Sequence, residues 1–245
     1  GFYRFALGRG YVLHSPLPMI VPKRPQPFRP YIYTQQELRD LLKATDEYET
    51  PKTTLEKATL RTLLLLLYGA GLRISEALLA LTHNDINLDA ALLTIHNSKF
   101  YKTRLVPTGL QLTKVLRAYA DAQYQHGHAN VLGSPFFMTR TGTAVTRGLV
   151  ERAFVRLRDI AGIVREDGAR YQPRLHDLRH SMAVHHLVAW YREGADVQQL
   201  LPQLATYLGH INVASTQRYL TMTPDLLHEA SQRFKCYAQP EAHHG

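Results

Sequence analysis

The sequence predicts an α+β fold that is mainly α, a helical domain built around one small antiparallel sheet. Across most of the chain the apolar residues recur every third or fourth position, which is the spacing of amphipathic helices. The segment 91–109, ALLTIHNSKFYKTRLVPTG, breaks this pattern, because β-branched and apolar residues flank a polar NSKFYK that is typical of a hairpin tip. With 245 residues and no internal repeat, the chain is long enough to bury a sizeable core.

Helix boundaries follow from the apolar stripes and the residues that flank them. Thr34, followed three residues later by Glu37, predicts a capping box at the start of one helix. The leucine-rich stretch 54–68 predicts a second helix, and GAGL ends it before a new helix starts at about Ile74. NDINLDA, just before the hairpin, could supply one more strand. Beyond the hairpin the pattern predicts helices at about 109–124, 146–161, 176–192, 196–208, 212–219 and 224–235.

The first thirty residues differ from the rest of the chain. Residues 1–10 have a helical pattern, whereas 14–30 contain six prolines and three basic residues without periodicity. Proline at this density resists both helix and sheet interior, so 14–30 is predicted to be an extended basic linker. The main domain is then expected to start at about residue 31. Because the sequence does not begin with Met, we expect it to be a piece of a longer protein.

Composition favours a globular protein with a polyanionic partner. Twenty-nine Lys and Arg against twenty Asp and Glu give a net charge of +9, which favours nucleic acid, although a basic surface without a specific role is the alternative. The single cysteine, Cys236, can form neither an internal disulfide nor a cysteine-based zinc site. The leucine run 63–67 is too short to span a bilayer and no secretory signal is visible, so a cytoplasmic location is expected.

Two basic features in the first half of the chain could carry chemistry. Arg73 follows the Gly-marked helix break and precedes Glu76 by three residues, so Glu76 can orient its guanidinium. An ordinary surface pair is the alternative. Lys99 lies at the predicted hairpin tip, with Lys102 and Arg104 close behind. Such a tip can reach a phosphate, and a lysine whose pKa is lowered by nearby cations can donate a proton; a solvated turn is the alternative.

The densest cluster of polar groups is PRLHDLRHSMAVHHL, residues 173–187. His176, Arg179 and His180 share one face at the N-terminal end of a predicted helix, where free N–H groups and the helix dipole favour an anion. Histidines at i and i+4 could also bind zinc, but the Glu of an HExxH motif and a third ligand are missing, so no metal site is predicted. We interpret His180 as a buried histidine that supports the site.

The stretch YLGHINVASTQRYL, residues 207–220, places Tyr219 nine residues after His210. A lone tyrosine is usually a packing residue, because a phenol with a pKa of about 10 is protonated at neutral pH. It becomes a nucleophile only where several cations stabilise the phenolate and the charge that it attacks. The stretch alone leaves both interpretations open.

Taken in order, Arg73, Lys99, His176-x-x-Arg179, Leu-Gly-His210 and Tyr219 resemble the tyrosine recombinases, the phage integrase family of DNA strand-exchange enzymes. GAGLRISEALLALTHNDIN, HDLRHSMA and YLGHINVASTQRYL each match family motifs. One departure is ADVQQLLPQLATYL, a connection a few residues longer than is usual in the family. The resemblance implies four parts: the end of a core-binding domain (1–13), the linker (14–30), the catalytic domain (31–236) and a tail (237–245).

The chemistry that the resemblance implies is a recombination reaction on double-stranded DNA. Tyr219 would attack the scissile phosphate and form a 3′-phosphotyrosyl link, while Arg73 and Arg179 clamp the non-bridging oxygens. Lys99 would protonate the leaving 5′-oxygen, and His176 would take the Tyr proton or return it. Positive charge from two Arg, one Lys and two His would make a metal unnecessary, and the phosphotyrosyl bond would make ATP unnecessary.

Other residues receive supporting roles from the same resemblance. His210 would hydrogen-bond the phosphate, Glu76 and His180 would support the site, and Lys102, Arg104 and Arg174 would contact DNA. The helix 224–235 would dock on a neighbouring protomer of a homo-oligomer, with packing on its own domain as the alternative. Rival functions are a type IB topoisomerase, which would only relax supercoils, and a catalytically idle DNA-binding regulator.

Overall fold

The computed structural model of the chain describes residues 1–17, 28–48, 53–98, 102–125, 133–222 and 226–231. Within these ranges the fold is mainly helical with one three-stranded antiparallel sheet, which confirms the predicted class. No helix in the described ranges is long and apolar enough to cross a membrane. The helices are α1 (Phe2–Gly8), α2 (Gln35–Tyr48), α3 (Lys57–Gly69), α4 (Leu110–Gln125), α5 (Arg147–Ile160), α6 (Asp177–Arg192), α7 (Val197–Leu208) and α8 (Ala214–Gln217).

Local capping chemistry starts two of these helices. At the start of α2 the Thr34 hydroxyl accepts from the Glu37 amide at 3.1 Å, and the Glu37 carboxylate accepts from the Thr34 amide at 2.7 Å. This is the predicted capping box. The connection before His210 contains α7, whose N-cap Asp196 accepts from two backbone amides.

Several shorter helical pieces connect the main elements. After the break that follows α3, the chain turns helical again over 74–80, and Glu76–Ala80 is π-helical. The predicted helix 212–219 is instead split into the four-residue α8 and a 3-10 turn, Arg218–Thr221. A helix of four residues is too short to be stable by itself, because helix nucleation is unfavourable. The buried side chain of Tyr219 anchors the 3-10 turn to the core.

The sheet consists of β1 (Ile86–Asn87), β2 (Leu92–Ser98) and β3 (Lys102–Pro107) in that order, all antiparallel. Leu93 pairs with Val106, and Ile95 pairs with Arg104. Leu93, Ile95 and Val106 are buried. Because side chains alternate between the faces of a strand, Arg104 lies on the same core-facing side of β3 as Val106.

Two clusters of buried side chains form the core, and α6 belongs to both. The larger cluster is built mainly from α2 to α5 and the sheet, and it includes Leu178 near the start of α6. The smaller cluster continues from Met182 along α6 and adds α7, Tyr219 and Leu226. Between Leu178 and Met182 the helix buries two polar residues, Ser181 and Arg179, and Arg179 is only 2% exposed.

Two glycines beside this junction cannot carry a side chain. Gly71 has φ +59°, and a Cβ there would lie 2.0 Å from the end of the Met182 side chain. Gly209 ends α7 in the left-handed conformation with φ +67°, and its Cβ would lie 2.9–3.2 Å from three guanidinium atoms of Arg104. The left-handed backbone angle favours glycine at both positions, and at Gly209 the close approach of the held Arg104 guanidinium favours it further.

Substituting Gly209 tests whether the close approach matters beyond the backbone angle. Gly194 is the matched control, because it follows α6 with φ +75° and has no atom within 4 Å of the Cβ position. Gly194→Ala is expected to cost about 1–2 kcal/mol of unfolding free energy, the usual strain of a left-handed residue. Gly209→Ala is expected to cost more in urea unfolding, because hydrogen bonds hold the Arg104 guanidinium in place. Equal losses in the two variants would contradict this account.

Candidate active site

The C-terminal end of α7 offers carbonyl groups to arginine side chains from three distant parts of the chain. The last carbonyls of a helix have no partner within the helix and carry the negative end of its dipole. Three consecutive carbonyls are used here, each by a different guanidinium. The pairs are Arg104 Nε with Tyr207 O at 3.0 Å, Arg179 Nη2 with Leu208 O, and Arg73 Nη2 with Gly209 O at 3.1 Å.

Glu76 holds the same arginines from the other side. Its carboxylate accepts two hydrogen bonds from Arg104, both at 2.9 Å, and one from Arg73 Nη1 at 2.6 Å. Arg179 Nη1 lies 3.9 Å from Glu76 Oε2 and donates to Gly71 O at 2.6 Å. The Arg73–Glu76 pair predicted from the sequence is therefore one edge of a buried ionic network.

The network carries more positive than negative charge. Burial alone would raise the pKa of Glu76, but hydrogen bonds and charge from Arg104 and Arg73 lower it to about 2, so the carboxylate is ionised at neutral pH. Burial, followed by the charge of Arg73, lowers the pKa of Arg179 to about 10, which leaves it protonated at neutral pH. Three guanidinium groups thus surround one carboxylate, and the excess positive charge favours an anion beside them.

Tyr219 lies in the smaller core with its hydroxyl group next to His180. The side chain is 2% exposed, and its Oη is 3.0 Å from His180 Nδ1. Burial raises the pKa of Tyr219, while the nearby charges of Arg179 and Arg73 oppose that rise. His180, predicted from the sequence to support the site, thus lies within hydrogen-bond distance of this hydroxyl.

His210 and His176 lie on either side of the arginines. His210 stacks on the Tyr219 ring at 6.1 Å between centroids, and its Nδ1 is 2.8 Å from Thr216 Oγ1. His176 precedes α6, and its ring meets His180 edge-on at 4.9 Å. Burial, followed by the charge of Arg179, lowers the pKa of both His176 and His210 to about 4. Both histidines are therefore neutral in the free chain at neutral pH, and the positive charge expected from them around a bound phosphate stays a prediction.

Two clefts meet at Arg73. The first, of about 400 Å³, is lined by Arg73, His180, His210, Arg218 and Tyr219 among others, and we name it the tyrosine cleft. The second, of about 630 Å³, is named the basic cleft, and its lining includes Arg73, Arg147, Arg158, Arg174 and His176. Arg73 thus faces the space beside Tyr219 and also the row of arginines on α5 and before α6.

Arg174 is fixed at the wall of the basic cleft. Its side chain is 39% exposed, donates to Asp177 at 3.0 Å and lies over the Phe28 ring at 4.1 Å. Phe28 comes from the C-terminal end of the proline-rich segment. This arrangement keeps the guanidinium at the surface in a defined orientation, which is compatible with the DNA contact predicted for it.

The structure does not place every predicted residue at a DNA-facing surface. Arg104 was expected to contact DNA, but its guanidinium points into the core and is occupied by Glu76 and Tyr207 O. The alternation of β3, with Arg104 two residues before the apolar Val106, is the sequence signal that could have shown this. Lys99 lies outside the described residues, and Lys102 is described only as the first residue of β3.

Only part of the predicted helix 224–235 belongs to the described residues. The part at 226–231 is helical, with Leu226 buried in the smaller core and Glu229 paired with Arg192 of α6 at 2.8 Å. This portion packs on its own domain, whereas Leu227 remains 53% exposed. Docking on a neighbouring protomer stays a prediction. Within the described ranges, no group of three or more His, Cys, Asp or Glu side chains is arranged to hold a metal ion.

The sequence of this chain is similar to those of known proteins. The family model of the phage integrase family matches residues 32–225. The protein y4rB of Sinorhizobium fredii, which is named as an integrase/recombinase, is 39% identical over 218 residues, covering 88% of this chain and 69% of that protein. The tyrosine recombinase XerC of Pelobacter propionicus is 32% identical over 246 residues, covering 98% of this chain and 70% of the relative.

Solved structures support the same fold. The crystal structure of XerA recombinase superposes with a TM-score of 0.63 at 20% identity, covering 90% of this chain and 68% of that one. A lambda integrase tetramer bound to a Holliday junction gives a TM-score of 0.60 at 17% identity, covering 89% and 55%. With the family model matching most of the sequence, the chain belongs to the phage integrase family of tyrosine-type site-specific recombinases.

Proposed function

We propose that this chain cleaves and rejoins double-stranded DNA at a specific site, with Tyr219 as the nucleophile. The observation that carries the proposal is the position of the Tyr219 hydroxyl in a cleft with Arg73, next to the buried charge of Arg179. Both arginines are held by helix-end carbonyls before any substrate arrives. Each guanidinium has five N–H donors, so each retains donors for a phosphate.

In the proposed reaction the phenol oxygen attacks the scissile phosphorus, forming a 3′-phosphotyrosyl bond as the bond to the 5′-oxygen breaks. Arg73 and Arg179 stabilise the charge that develops on the non-bridging oxygens, the kind of preorganised electrostatics that usually contributes most to catalysis. His210 and His176, neutral in the free chain, serve as hydrogen-bond partners of the phosphate or its neighbours. Lys99 is the proposed proton donor to the leaving oxygen. A 5′-hydroxyl of a partner strand then attacks the phosphotyrosine, and no metal or ATP enters the scheme.

The basic cleft is the proposed path of the DNA backbone toward Tyr219. Arg147 and Arg174 are 65% and 39% exposed and lie along a cleft that continues to Arg73. Exposed guanidinium groups in a row suit successive phosphates of one strand. Lys102 remains a proposed contact from the sheet side.

Assembly on DNA is also proposed, because the lambda integrase structure is a tetramer on a Holliday junction. In this proposal copies of the chain join through 224–235, in addition to the contacts of 226–231 with their own domain. We further propose that 1–13 ends a core-binding domain, that 14–30 links it to the catalytic domain 31–236, and that 237–245 is a tail. The proposed location is the cytoplasm, at the nucleoid. The proposed process is DNA integration or transposition.

Two rival functions differ from the proposed one in what happens to the DNA. A type IB topoisomerase would relax supercoiled DNA without joining new partners, and an idle regulator would bind DNA without breaking it. Among the described residues, the recombinase proposal is favoured over the regulator because Arg73, His210 and Tyr219 line one cleft and the charge of Arg179 acts on the Tyr219 hydroxyl. Recombinant joints between two copies of the target site, rather than relaxation alone, separate it from the topoisomerase.

Substituting Tyr219 tests which group is the nucleophile. With a nicked duplex built from inverted repeats beside the gene, the chain is expected to form a covalent adduct visible on a denaturing gel. Tyr219→Phe should abolish the adduct and leave DNA affinity within about twofold, because only the attacking oxygen is removed. Tyr207→Phe is the control, since the Tyr207 hydroxyl donates to Pro107 O at 3.2 Å, away from the site. An adduct with the Tyr219 variant would show that another group attacks.

Substitutions of Arg104 and Arg174 separate the buried arginine from the exposed one. Arg174→Gln is expected to reduce the slope of log affinity against log salt concentration by about one, the loss of one phosphate contact. Arg104→Gln is expected to leave that slope unchanged and to lower stability by about 3 kcal/mol, because it removes one partner from a buried ion pair. DNA titrations at several salt concentrations and thermal unfolding measure the two effects. The reverse pattern would mean that Arg104 turns outward to DNA.

A further inference from the structure

His180 was predicted only to support the site, yet it lies within hydrogen-bond distance of the Tyr219 hydroxyl. It follows Arg179 directly and lies one helical turn after His176. Its ring lies in the tyrosine cleft, whereas His176 lines the basic cleft. The two histidines therefore lie in different clefts. His176 lies in the basic cleft, on the proposed path of the DNA, and His180 lies in the tyrosine cleft.

The contacts around the Tyr219 hydroxyl limit which group can accept its proton. His180 Nδ1 lies 3.0 Å away, a hydrogen-bond distance. Arg179 is a cation at neutral pH and has no lone pair to offer. His210 stacks on the ring, and its Nδ1 is engaged with Thr216. Among the described side chains, His180 is thus the one with an acceptor nitrogen at the hydroxyl.

We propose that His180 Nδ1 takes the proton of Tyr219 as the phenol oxygen bonds to the scissile phosphorus, and returns it when the strand is resealed. The inference rests on the proposed function of Tyr219. The neutral imidazole carries its own proton on Nε2 and accepts on Nδ1. The new Oη–P bond replaces the P–O5′ bond, and the 5′-oxygen receives its proton from a separate donor, proposed above as Lys99. His176 is left to act on the phosphate side.

The electrostatics of the pocket agree with this role. Burial, followed by the neighbouring His176 and Arg179, lowers the pKa of His180 to about 3, so the ring is an unprotonated acceptor at neutral pH. Burial raises the pKa of Tyr219, so the phenol stays protonated in the free chain. A phosphodiester in the cleft adds negative charge, which raises the basicity of His180 at the moment when the proton must move.

His180→Asn tests the proton transfer separately from the hydrogen bond. The Asn oxygen occupies nearly the position of Nδ1 and can still accept from Tyr219, but it cannot carry the proton away. In single-turnover cleavage of the nicked duplex at pH 7, the variant is expected to be about 10² to 10⁴ times slower than the unmodified chain. His186→Asn, on the exposed side of the same helix, is the control and should cleave at the normal rate.

The pH dependence distinguishes a proton acceptor from a purely structural residue. Without His180, hydroxide must remove the phenol proton, so the rate of the variant should rise by about tenfold per pH unit from pH 6 to 9. The unmodified chain should show no such slope, since its acceptor is unprotonated over that range. A rate lowered by the same factor at every pH, or not lowered at all, would overturn the proposal.

Chemical rescue covers the case in which the Asn variant folds poorly. His180→Gly opens a space the size of the ring, and added imidazole is expected to raise its cleavage rate in a saturable way, with the same addition leaving Tyr219→Phe inactive. No rescue in a variant whose thermal unfolding is normal would count against His180. If Tyr219→Phe itself forms the adduct, the proposed function fails. If Tyr219→Phe is inactive while His180→Asn behaves normally, only the role of His180 fails.

Discussion

The end of α7 is the constraint on which the site depends. Three successive carbonyls there, from Tyr207, Leu208 and Gly209, would be unsatisfied without partners from elsewhere in the chain. Arginines from the segment after α3, from β3 and from α6 supply those partners. Elements distant in sequence are thereby fixed to one point. Glu76 completes the arrangement, because without its charge three neighbouring cations would face one another, two of them buried.

This arrangement explains how a basic site can exist before its anionic substrate is present. Isolated arginines at a surface would lose side-chain entropy on clamping a phosphate. Here Arg179 is only 2% exposed and held by two carbonyls, so most of that ordering is completed during folding. A phosphate entering the tyrosine cleft meets donors that are already oriented, which lowers the reorganisation needed in the transition state. The cost is a junction between two core clusters that contains charge instead of apolar side chains.

Much of the fold could be predicted from the sequence, because local patterns determine those parts. The Thr34–Glu37 capping box, the hairpin strands and the helical periods are each encoded within a few residues. The order of Arg73, Arg179, His210 and Tyr219 also indicated which residues would meet. The direction of Arg104 and the contact of His180 were harder to predict. Arg104 belongs to a hairpin rich in basic residues, which favoured a DNA contact. Its pairing with the buried Ile95 shows instead that it lies on the core-facing side of the sheet. His180 meets a tyrosine 39 positions away, through a 3-10 turn that the helical pattern did not reveal.

Gly209 has a consequence for interpreting degraded copies of such a sequence. It contributes no functional group, yet its missing side chain leaves the room that the Arg104 guanidinium occupies, and its carbonyl holds Arg73. A copy that retains every chemically active side chain but carries a bulkier residue here would lose the shared anchor of its arginines. Inspection of the reactive residues alone would then classify an inert copy as intact. The shape of one backbone position is therefore as informative about the activity of a relative as the tyrosine itself.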